Sequence, residues 1–507
     1  MLAVALVTMT RDATTHHRRT IRTLLLAAAA TLMVAGPARA SAPARAQVLV
    51  TQTSADLSQA MRSLPARRFS PTTRIARGVR VIDVDDTHRY QRFIGAGGGL
   101  TDSSAWLIWT QLPPAKRRRL MKLLFAPSGA HLSFLRVSIG ASDYTADGVP
   151  YSYDDQPAGQ TDPRLADFSV AHDEPYILPA LRAAQQLNPS VYLEGVPWSA
   201  PGWMKANDAL DNQGHAGTLR PRDDAAFGRY LAAFVRAYRE RGVRVNGIGV
   251  QDEPDEPNPY PGMQISTAQE ADLVARYIRP ALRSAGLSVN VFGWDLSWGP
   301  PKAVAPLIGD ADSGALSGLA WHCYAGTPQF MSSAHTAVPQ ALQIVDECST
   351  GAKDVFATSE LLISSTRNWA SAVAVWNLAL YPQGGPAQSL GYGCESCTGV
   401  VSVDPETGRY TLSRDYYQLA QFSRFIQPGA VRISSPHFVS YRLGAPGHFQ
   451  TMISSGLDDV AFLNPDGTRV VFAYNTAATP ITFAIRWHHS SFTYRIPPHA
   501  TTTLRWR

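Results

Sequence analysis

The chain has 507 residues, a formal net charge of +6, 45% hydrophobic residues and only 17% charged residues. So few charges exclude a disordered acidic tail or a basic arm, and the sequence has no collagen period, no sustained heptads and no long tract of one residue. At about 150 residues per domain the length suggests two or three domains, or one large barrel with a smaller companion.

The first forty residues carry much of the positive charge. His16, His17, Arg18, Arg19 and Arg22 form a basic stretch. A short apolar run follows from Thr23 to Gly36, and Pro37-Ala38-Arg39-Ala40 ends in a small-residue cleavage pattern. This is the form of a secretory signal peptide, expected at residues 1–40, with the mature protein secreted, extracellular or periplasmic. The alternative is a membrane anchor, but the run is shorter than the roughly 18 to 20 apolar residues a span needs. No stable membrane insertion is therefore expected. Removing residues 1–40 takes away Arg11, Arg18, Arg19, Arg22, Arg39 and Asp12, which leaves 41 basic and 39 acidic residues. A net charge of +2 gives little reason to expect a nucleic-acid partner.

Residues 41–84 contain one strand-like stretch, Val79–Val84, which can pair with strands from the other end of the chain. Residues 85–427 then alternate apolar, strand-like runs with helical patterns. The strand candidates are Gln91–Gly97, His131–Ile139, Ser190–Trp198, Val245–Glu253, Ser288–Asp295, Leu316–Tyr324, Ala341–Glu347 and Ser371–Leu380. They are mostly without polar alternation, as strands buried on both faces should be. Helical patterns separate them, with the fifth and sixth crossovers less clearly helical. Eight such units fit an α/β fold, a (β/α)8 barrel with insertions. A doubly wound sheet is the rival. It would want a glycine-rich phosphate turn, but in Gly95-Ala96-Gly97-Gly98-Gly99-Leu100 a leucine takes the third glycine's place, and no acidic partner follows. From residue 428 to 507 short β-like runs dominate, with turns such as Asn464-Pro465-Asp466-Gly467. An all-β sandwich built from both chain ends is expected there.

There are four cysteines, Cys323, Cys348, Cys394 and Cys397. In an exported protein an even count suggests disulfides. The Cys394-Glu395-Ser396-Cys397 pair could also serve redox or metal chemistry, but no second such pair or spaced histidines accompany it. A short structural bridge is the preferred reading. Cys323 and Cys348 would form the other bridge if their strands are adjacent.

In a barrel of this kind, chemistry sits at the C-terminal ends of the strands. The fourth candidate strand ends in Gln251-Asp252-Glu253-Pro254 and the seventh in Asp346-Glu347-Cys348. The two glutamates are 94 residues apart. At about 31 residues per unit, that is three units. Two carboxylates at one barrel mouth are what glycoside hydrolysis requires: one protonates the leaving oxygen, the other attacks the anomeric carbon or activates water. Ordinary solvated strand-end acids are the alternative. Trp198, Trp203, Trp294, Trp321, Tyr324 and Trp376 fall near strand ends, where ring faces can stack on sugars or simply pack as core.

Longer motifs carry a resemblance. Gly95-Ala96-Gly97-Gly98-Gly99-Leu100-Thr101-Asp102, Leu135-Arg136-Val137-Ser138-Ile139-Gly140, Pro197-Trp198-Ser199-Ala200-Pro201-Gly202-Trp203-Met204-Lys205, Val250-Gln251-Asp252-Glu253-Pro254, Ile344-Val345-Asp346-Glu347-Cys348-Ser349 and Trp376-Asn377-Leu378-Ala379-Leu380 follow one another in order. Together they resemble glycoside hydrolase family 30, the glucosylceramidase-like retaining β-glycosidases. The resemblance implies Glu253 as acid/base and Glu347 as nucleophile. It places Asp102, Arg136, Trp198 and Trp376 at the sugar subsite or behind the nucleophile. His322 and Tyr324 match the family's H-x-Y, with the tyrosine on the nucleophile. It also implies a carbohydrate substrate and no cofactor or metal.

One departure stands out. Asp252 occupies the place of an asparagine, and an ionised aspartate can only accept hydrogen bonds. A carboxylate there would also tend to raise the acid's pKa. A carbohydrate-binding protein without catalysis is the alternative this departure leaves open. Among substrates, β-linked glucan, galactan or a related saccharide is expected ahead of a glucosylceramide-type lipid, because no lipid-binding amphipathic segment is evident. The loops Asp143–Asp167 and Asn207–Arg222 are expected to shape the subsites. Linkage, exo or endo action and oligomeric state are not legible in the sequence.

Overall fold

The computed structural model describes residues 46–72, 75–349, 357–387, 397–442, 451–452 and 456–507. The expected signal peptide and Cys394 lie outside them. Among the described residues eight parallel strands close into a barrel. They are β1 (Gly95–Gly99), β2 (Phe134–Ser138), β3 (Tyr192–Val196), β4 (Gly247–Gly249), β5 (Asn290–Ser297), β6 (Gly318–His322), β7 (Leu342–Glu347) and β8 (Ala370–Val375). All eight sequence candidates are present. β8 pairs with β1 from Ala372↔Gly95 to Val375↔Gly98 and closes the ring.

Helices cover the outside. They are α1 (Pro114–Phe125), α2 (Ile177–Leu187), α3 (Asp224–Glu240), α4 (Thr267–Leu273, continued by a π turn and Arg279–Ser284), α5 (Ala305–Ser313), α6 (Gln329–Ala337), α7 (Thr358–Arg367) and α8 (Arg414–Ser423). Helix α5 and helix α6 fill the two crossovers whose periodicity was weak. The floor of the barrel is packed by Phe134, Phe292, Ala320, Ile344 and Ala372, with Tyr192 stacked on Phe134 at 5.6 Å.

The glycines of β1 are explained by close approach rather than by a phosphate loop. A Cβ on Gly97 would lie 1.8 Å from the carbonyl oxygen of Phe134, and one on Gly99 would lie 2.8 Å from the Trp376 ring. No other residue type lets β2 and Trp376 come this close.

The second domain is the expected all-β sandwich. Among the described residues its strands run in the order 62–68, 47–53, 501–506, 469–475, 457–463, 431–434, 80–92, 481–487, 490–496 and 70–71. Its core includes Val48, Val50, Ile82, Val84, Val471, Ile485, Leu504 and Trp506. Both chain ends contribute, as expected: Gln47–Thr53 runs antiparallel to Thr501–Trp506. The strand expected at Val79–Val84 is longer, Arg80–Arg92, so the residues up to Arg92 belong to this sheet. The Asn464–Gly467 turn is present, with the Gly467 amide donating to the Asn464 carbonyl at 2.9 Å and φ +82° at Gly467.

Cys323 and Cys348 are bonded, with Cα atoms 5.2 Å apart on the adjacent β6 and β7 ends. Cys397 is also disulfide-bonded. No helix among the described residues is long and apolar enough to cross a membrane. The Cys323–Cys348 link closes a loop of 25 residues, and its removal should cost about 3 kcal/mol of stability. Urea unfolding of Cys323→Ala/Cys348→Ala beside wild type measures it; an unchanged midpoint would contradict the expectation.

Candidate active site

The residue that organises the site is Arg136 on β2. Its side chain has no exposure. Its guanidinium reaches Asp252 after β4 at 2.7 Å, Asp295 on β5 at 2.6 Å, Asp346 on β7 at 3.0 Å, and Glu347 beside it. Above it lie the rings of Trp198 and Trp376, 4.6 and 5.6 Å from the guanidinium carbon. Those two rings stack on each other at 5.4 Å, and Tyr144 meets Trp376 edge-on. A planar guanidinium suits both tasks, since its edge offers forked donors and its face stacks on aromatic rings.

Glu347 closes β7. The Tyr324 hydroxyl donates to it at 2.8 Å, and Arg136 donates to its other oxygen. Trp376 donates its backbone N–H to the Cys348 carbonyl at 2.8 Å, which ties the end of β8 to the same segment. Glu253 follows β4 in a left-handed conformation, φ +41°. Its backbone N–H donates to the Asp295 carbonyl at 2.9 Å, and its carboxyl meets His322 Nδ1 at 3.2 Å. His322 is buried, with Nε2 on Asp295 at 3.0 Å. One imidazole therefore stands between Glu253 and the carboxylates around Arg136. Eight of the nine substrate-site and catalytic residues expected from sequence meet here: Arg136, Trp198, Asp252, Glu253, His322, Tyr324, Glu347 and Trp376.

Asp102 is differently placed. It opens a short helix, Asp102–Trp106, beyond β1. Its oxygens accept from the Ala146 amide at 2.9 Å, the Tyr151 hydroxyl at 3.1 Å and the Tyr176 hydroxyl at 3.1 Å, with His172 Nε2 at 3.6 Å. The side chain is 1% exposed, so the loop after β2 engages this carboxylate from the protein side.

Sequence reading missed several members. Asp295 and Asp346 are fully buried members of the Arg136 cluster, and Glu194 on β3 lies buried with them, with no hydrogen-bond donor to either oxygen among the described residues. The signal was available for Asp295: it is the terminal acid of the fifth strand candidate, the same feature that singled out the two glutamates. Lys205 was also passed over. It is buried, and its ammonium lies 2.6–2.9 Å from Ser199 Oγ and the Leu210, Asp211 and Gly262 carbonyls, which share its three N–H groups. It thereby ties the loop after β3 to the loop after β4. Of the six strand-end aromatics, three are core rather than sugar platforms. Trp321 has no exposure and donates to Gln343 at 2.7 Å, Trp294 packs on Trp321, and Trp203 donates to Asp154.

The cluster holds more acid than base. Burial and neighbouring carboxylates push Asp252 and Glu194 well above the carboxylate range and Asp346 up to about 8. Burial also raises Glu347, against the pull of His322 and Arg136. Burial works against the charges of His322 and Asp295, but their partners win: Glu347 and Asp295 raise His322, while Arg136 and His322 lower Asp295. Protons thus remain on part of the acidic set, as confined like charges require. Atoms of Asp252, His322 and Glu347, and of Asp295, His322 and Asp346, lie within 4.8 Å of one another. A metal ion could bridge that spacing, although Arg136 already supplies a cation to both groups.

Comparison with known proteins agrees with this geometry. Residues 93–426 match the glycosyl hydrolase family 30 TIM-barrel domain, and residues 429–504 match its β-sandwich domain. The chain is 33% identical over 416 residues to an endo-1,6-β-D-glucanase of Trichoderma harzianum, covering 79% of this chain and 81% of the relative. It is 34% identical over 413 residues to one of Aspergillus fumigatus, with 78% and 81% covered. The lysosomal acid glucosylceramidase of Mus musculus is 23% identical over 446 residues, with 83% and 82% covered. The solved structure of SrfJ from Salmonella typhimurium shares the fold with a TM-score of 0.79 at 22% identity, covering 91% of this chain and 99% of that one. Glutamates at the ends of β4 and β7, on a barrel whose sequence matches along its whole length, make this chain a β-glycoside hydrolase of glycosyl hydrolase family 30.

Proposed function

We propose that the protein is an exported, retaining endo-β-1,6-glucanase, with Glu347 as nucleophile and Glu253 as acid/base. The observation that carries the assignment is the unequal setting of the two carboxyls. Glu347 takes hydrogen bonds from Tyr324 and Arg136, which hold it ionised and oriented for attack. Glu253 is the more exposed of the two and pairs with His322 rather than with Arg136. In the first step Glu347 attacks the anomeric carbon while Glu253 passes its proton to the leaving oxygen. Water, deprotonated by Glu253, then releases the sugar with the original configuration. Trp198 and Trp376 supply an apolar wall for the sugar ring, and Arg136 beneath them offsets the charge of the nucleophile.

The choice of β-1,6-glucan rests on relatives. The endo-1,6-glucanases reach 33–34% identity, against 23% for the mouse glucosylceramidase. The basic and apolar leader read at residues 1–40 supports export. Asp252 takes an asparagine-like part: its Oδ1 accepts from Arg136, and a proton held on the other oxygen provides the donor that an ionised aspartate lacks.

Hydrolysis of β-1,6-linked glucan, compared with β-1,3- and β-1,4-linked glucans, galactan, xylan and glucosylceramide, tests the substrate. The β-1,6 chain should be cut internally, with the β-anomer formed first. Glu253→Gln should lower turnover on the glucan by about 10²–10⁴-fold, and Glu347→Gln should abolish it. Wild-type turnover in either variant would refute the assignment. Asp252→Asn should keep activity while altering the pH profile; an identical profile would show that the proton on Asp252 has no role.

The buried cluster also makes stability depend on pH. Folded Asp346 keeps its proton to about pH 8, whereas an unfolded aspartate loses it near pH 4. Between these values the folded state binds more protons, so the contribution of this group falls as pH rises. Asp346→Asn removes that fall. Its urea midpoint should gain on wild type between about pH 5 and about pH 8; a difference that stays constant with pH would contradict this.

A further inference from the structure

Strand β5 breaks its own geometry in the middle of the barrel wall. Trp294 and Asp295 take φ of +78° and +44°, values that side-chain-bearing residues rarely adopt. Opposite them the β6 register skips: Ala320 pairs with Trp294 and Trp321 with Leu296, so Asp295 is the additional residue of a bulge. The bulge is built in. The Trp294 amide donates to the buried Glu270 carboxylate of α4 at 2.9 Å, and the Trp294 ring N–H donates to the Ser297 carbonyl at 2.9 Å. On the neighbouring strand Gly249 leaves the room required, since a Cβ there would lie 2.6 Å from Asp295 Oδ2. Bulges re-aim side chains, and strain of this kind persists only where the surroundings enforce it.

The bulge aims both polar ends of Asp295 at one target. Its main-chain carbonyl accepts from the Glu253 N–H at 2.9 Å. Its Oδ1 accepts from His322 Nε2 at 3.0 Å and from Arg136 at 2.6 Å. The other nitrogen of His322 meets Glu253 Oε1 at 3.2 Å. Asp295 thus reaches Glu253 twice, once through the backbone and once through the imidazole. The other acids among the described residues that face His322 are Asp252 at 3.9 Å, Asp346 at 3.8 Å, Glu347 and Glu194.

We propose that Asp295 is a positioning residue for the acid/base: it holds the Glu253 backbone and keeps His322 cationic against the Glu253 carboxyl. This rests on the reading of Glu253 as acid/base. An imidazolium N–H on Oε1 leaves Oε2 to carry the proton bound for the leaving oxygen. Once that proton departs, the new carboxylate charge on Glu253 meets a cation already in place. The burial of His322 opposes its charge, and the Asp295 carboxylate is one of the anions that outweigh this. Asparagine at 295 keeps the shape and a carbonyl acceptor but removes the anion, so the effect should fall on proton donation.

The experiment uses two β-glucosides, one with a dinitrophenolate group that leaves without protonation and one with an alkyl or sugar leaving group that needs it. Asp295→Asn and His322→Asn are compared with wild type and with Glu253→Gln by kcat/KM, with folding followed by thermal melting. The proposal expects both variants to lose at least tenfold more on the poor leaving group than on the activated one. Equal losses on the two substrates, while Glu253→Gln discriminates between them, would overturn it. If Asp295→Asn has no cooperative melt, His322→Asn decides, because it leaves the Asp295–Arg136 pair in place. Absence of discrimination in Glu253→Gln itself would instead remove the acid/base reading, and the proposal with it.

Discussion

One buried guanidinium holds the catalytic end of this barrel together. Arg136 has no exposure and brings together carboxyls from the ends of β4, β5 and β7. A lone charge in such a place would be costly, and several partners are needed to offset its lost hydration. The converse holds with equal force: without the arginine, the carboxyls would repel one another at the mouth of the barrel. The site and the closure of the strand ends therefore depend on the same interaction. The disulfide between Cys323 and Cys348 acts at the same level, one residue beyond His322 and Glu347.

Backbone allowances in the sequence make that arrangement possible. The glycines of β1 admit the Trp376 ring and the β2 backbone. Gly249 admits the Asp295 carboxylate. Left-handed turns at Glu253, Trp294 and Asp295 swing two acids inward from strands that would otherwise have carried them straight on. Each allowance is local, and each serves the same few ångströms around Arg136 and His322. Concentration of unusual backbone at one place is what a site with preset geometry requires.

The barrel was legible because its strands are buried on both faces and so read as apolar runs. The two glutamates were legible because each stands at the end of such a run, three units apart. Asp295 carries the same strand-end signal, but the bulge that makes it point inward is a tertiary feature, so the sequence does not show what it faces. Trp294 and Trp321 were overread for the complementary reason: strand-end position does not say whether a ring faces the mouth or the helices, and these two face the helices. In the sandwich, Arg62–Arg68 is mostly exposed and Gln47–Thr53 takes its place from pairing with Thr501–Trp506, so neither carries a strong local pattern. The departure at Asp252 was visible, but its meaning was not. Read alone it removes a hydrogen-bond donor; read within a buried cluster it regains one by keeping its proton.

That reversal follows from counting charge. Glu194, Asp252, Asp295, Asp346 and Glu347 are buried around two cations, Arg136 and His322. Full ionisation would leave an uncompensated negative charge in a medium that screens poorly. The least costly response is to keep protons where partners are weakest. Among the described residues Glu194 has no hydrogen-bond donor and Asp346 meets Arg136 without completing a hydrogen bond, and burial raises both. Asp295, held by Arg136 and His322 together, stays ionised. Glu347 lies between these extremes, raised by burial yet held by three donors or cations. A nucleophile must remain ionised while its neighbours hold protons, and the order of partner strength around Arg136 favours that distribution. On the proposed assignment of Glu347 as nucleophile, the excess of acid is compatible with catalysis, because protons are favoured on the carboxyls with weaker partners.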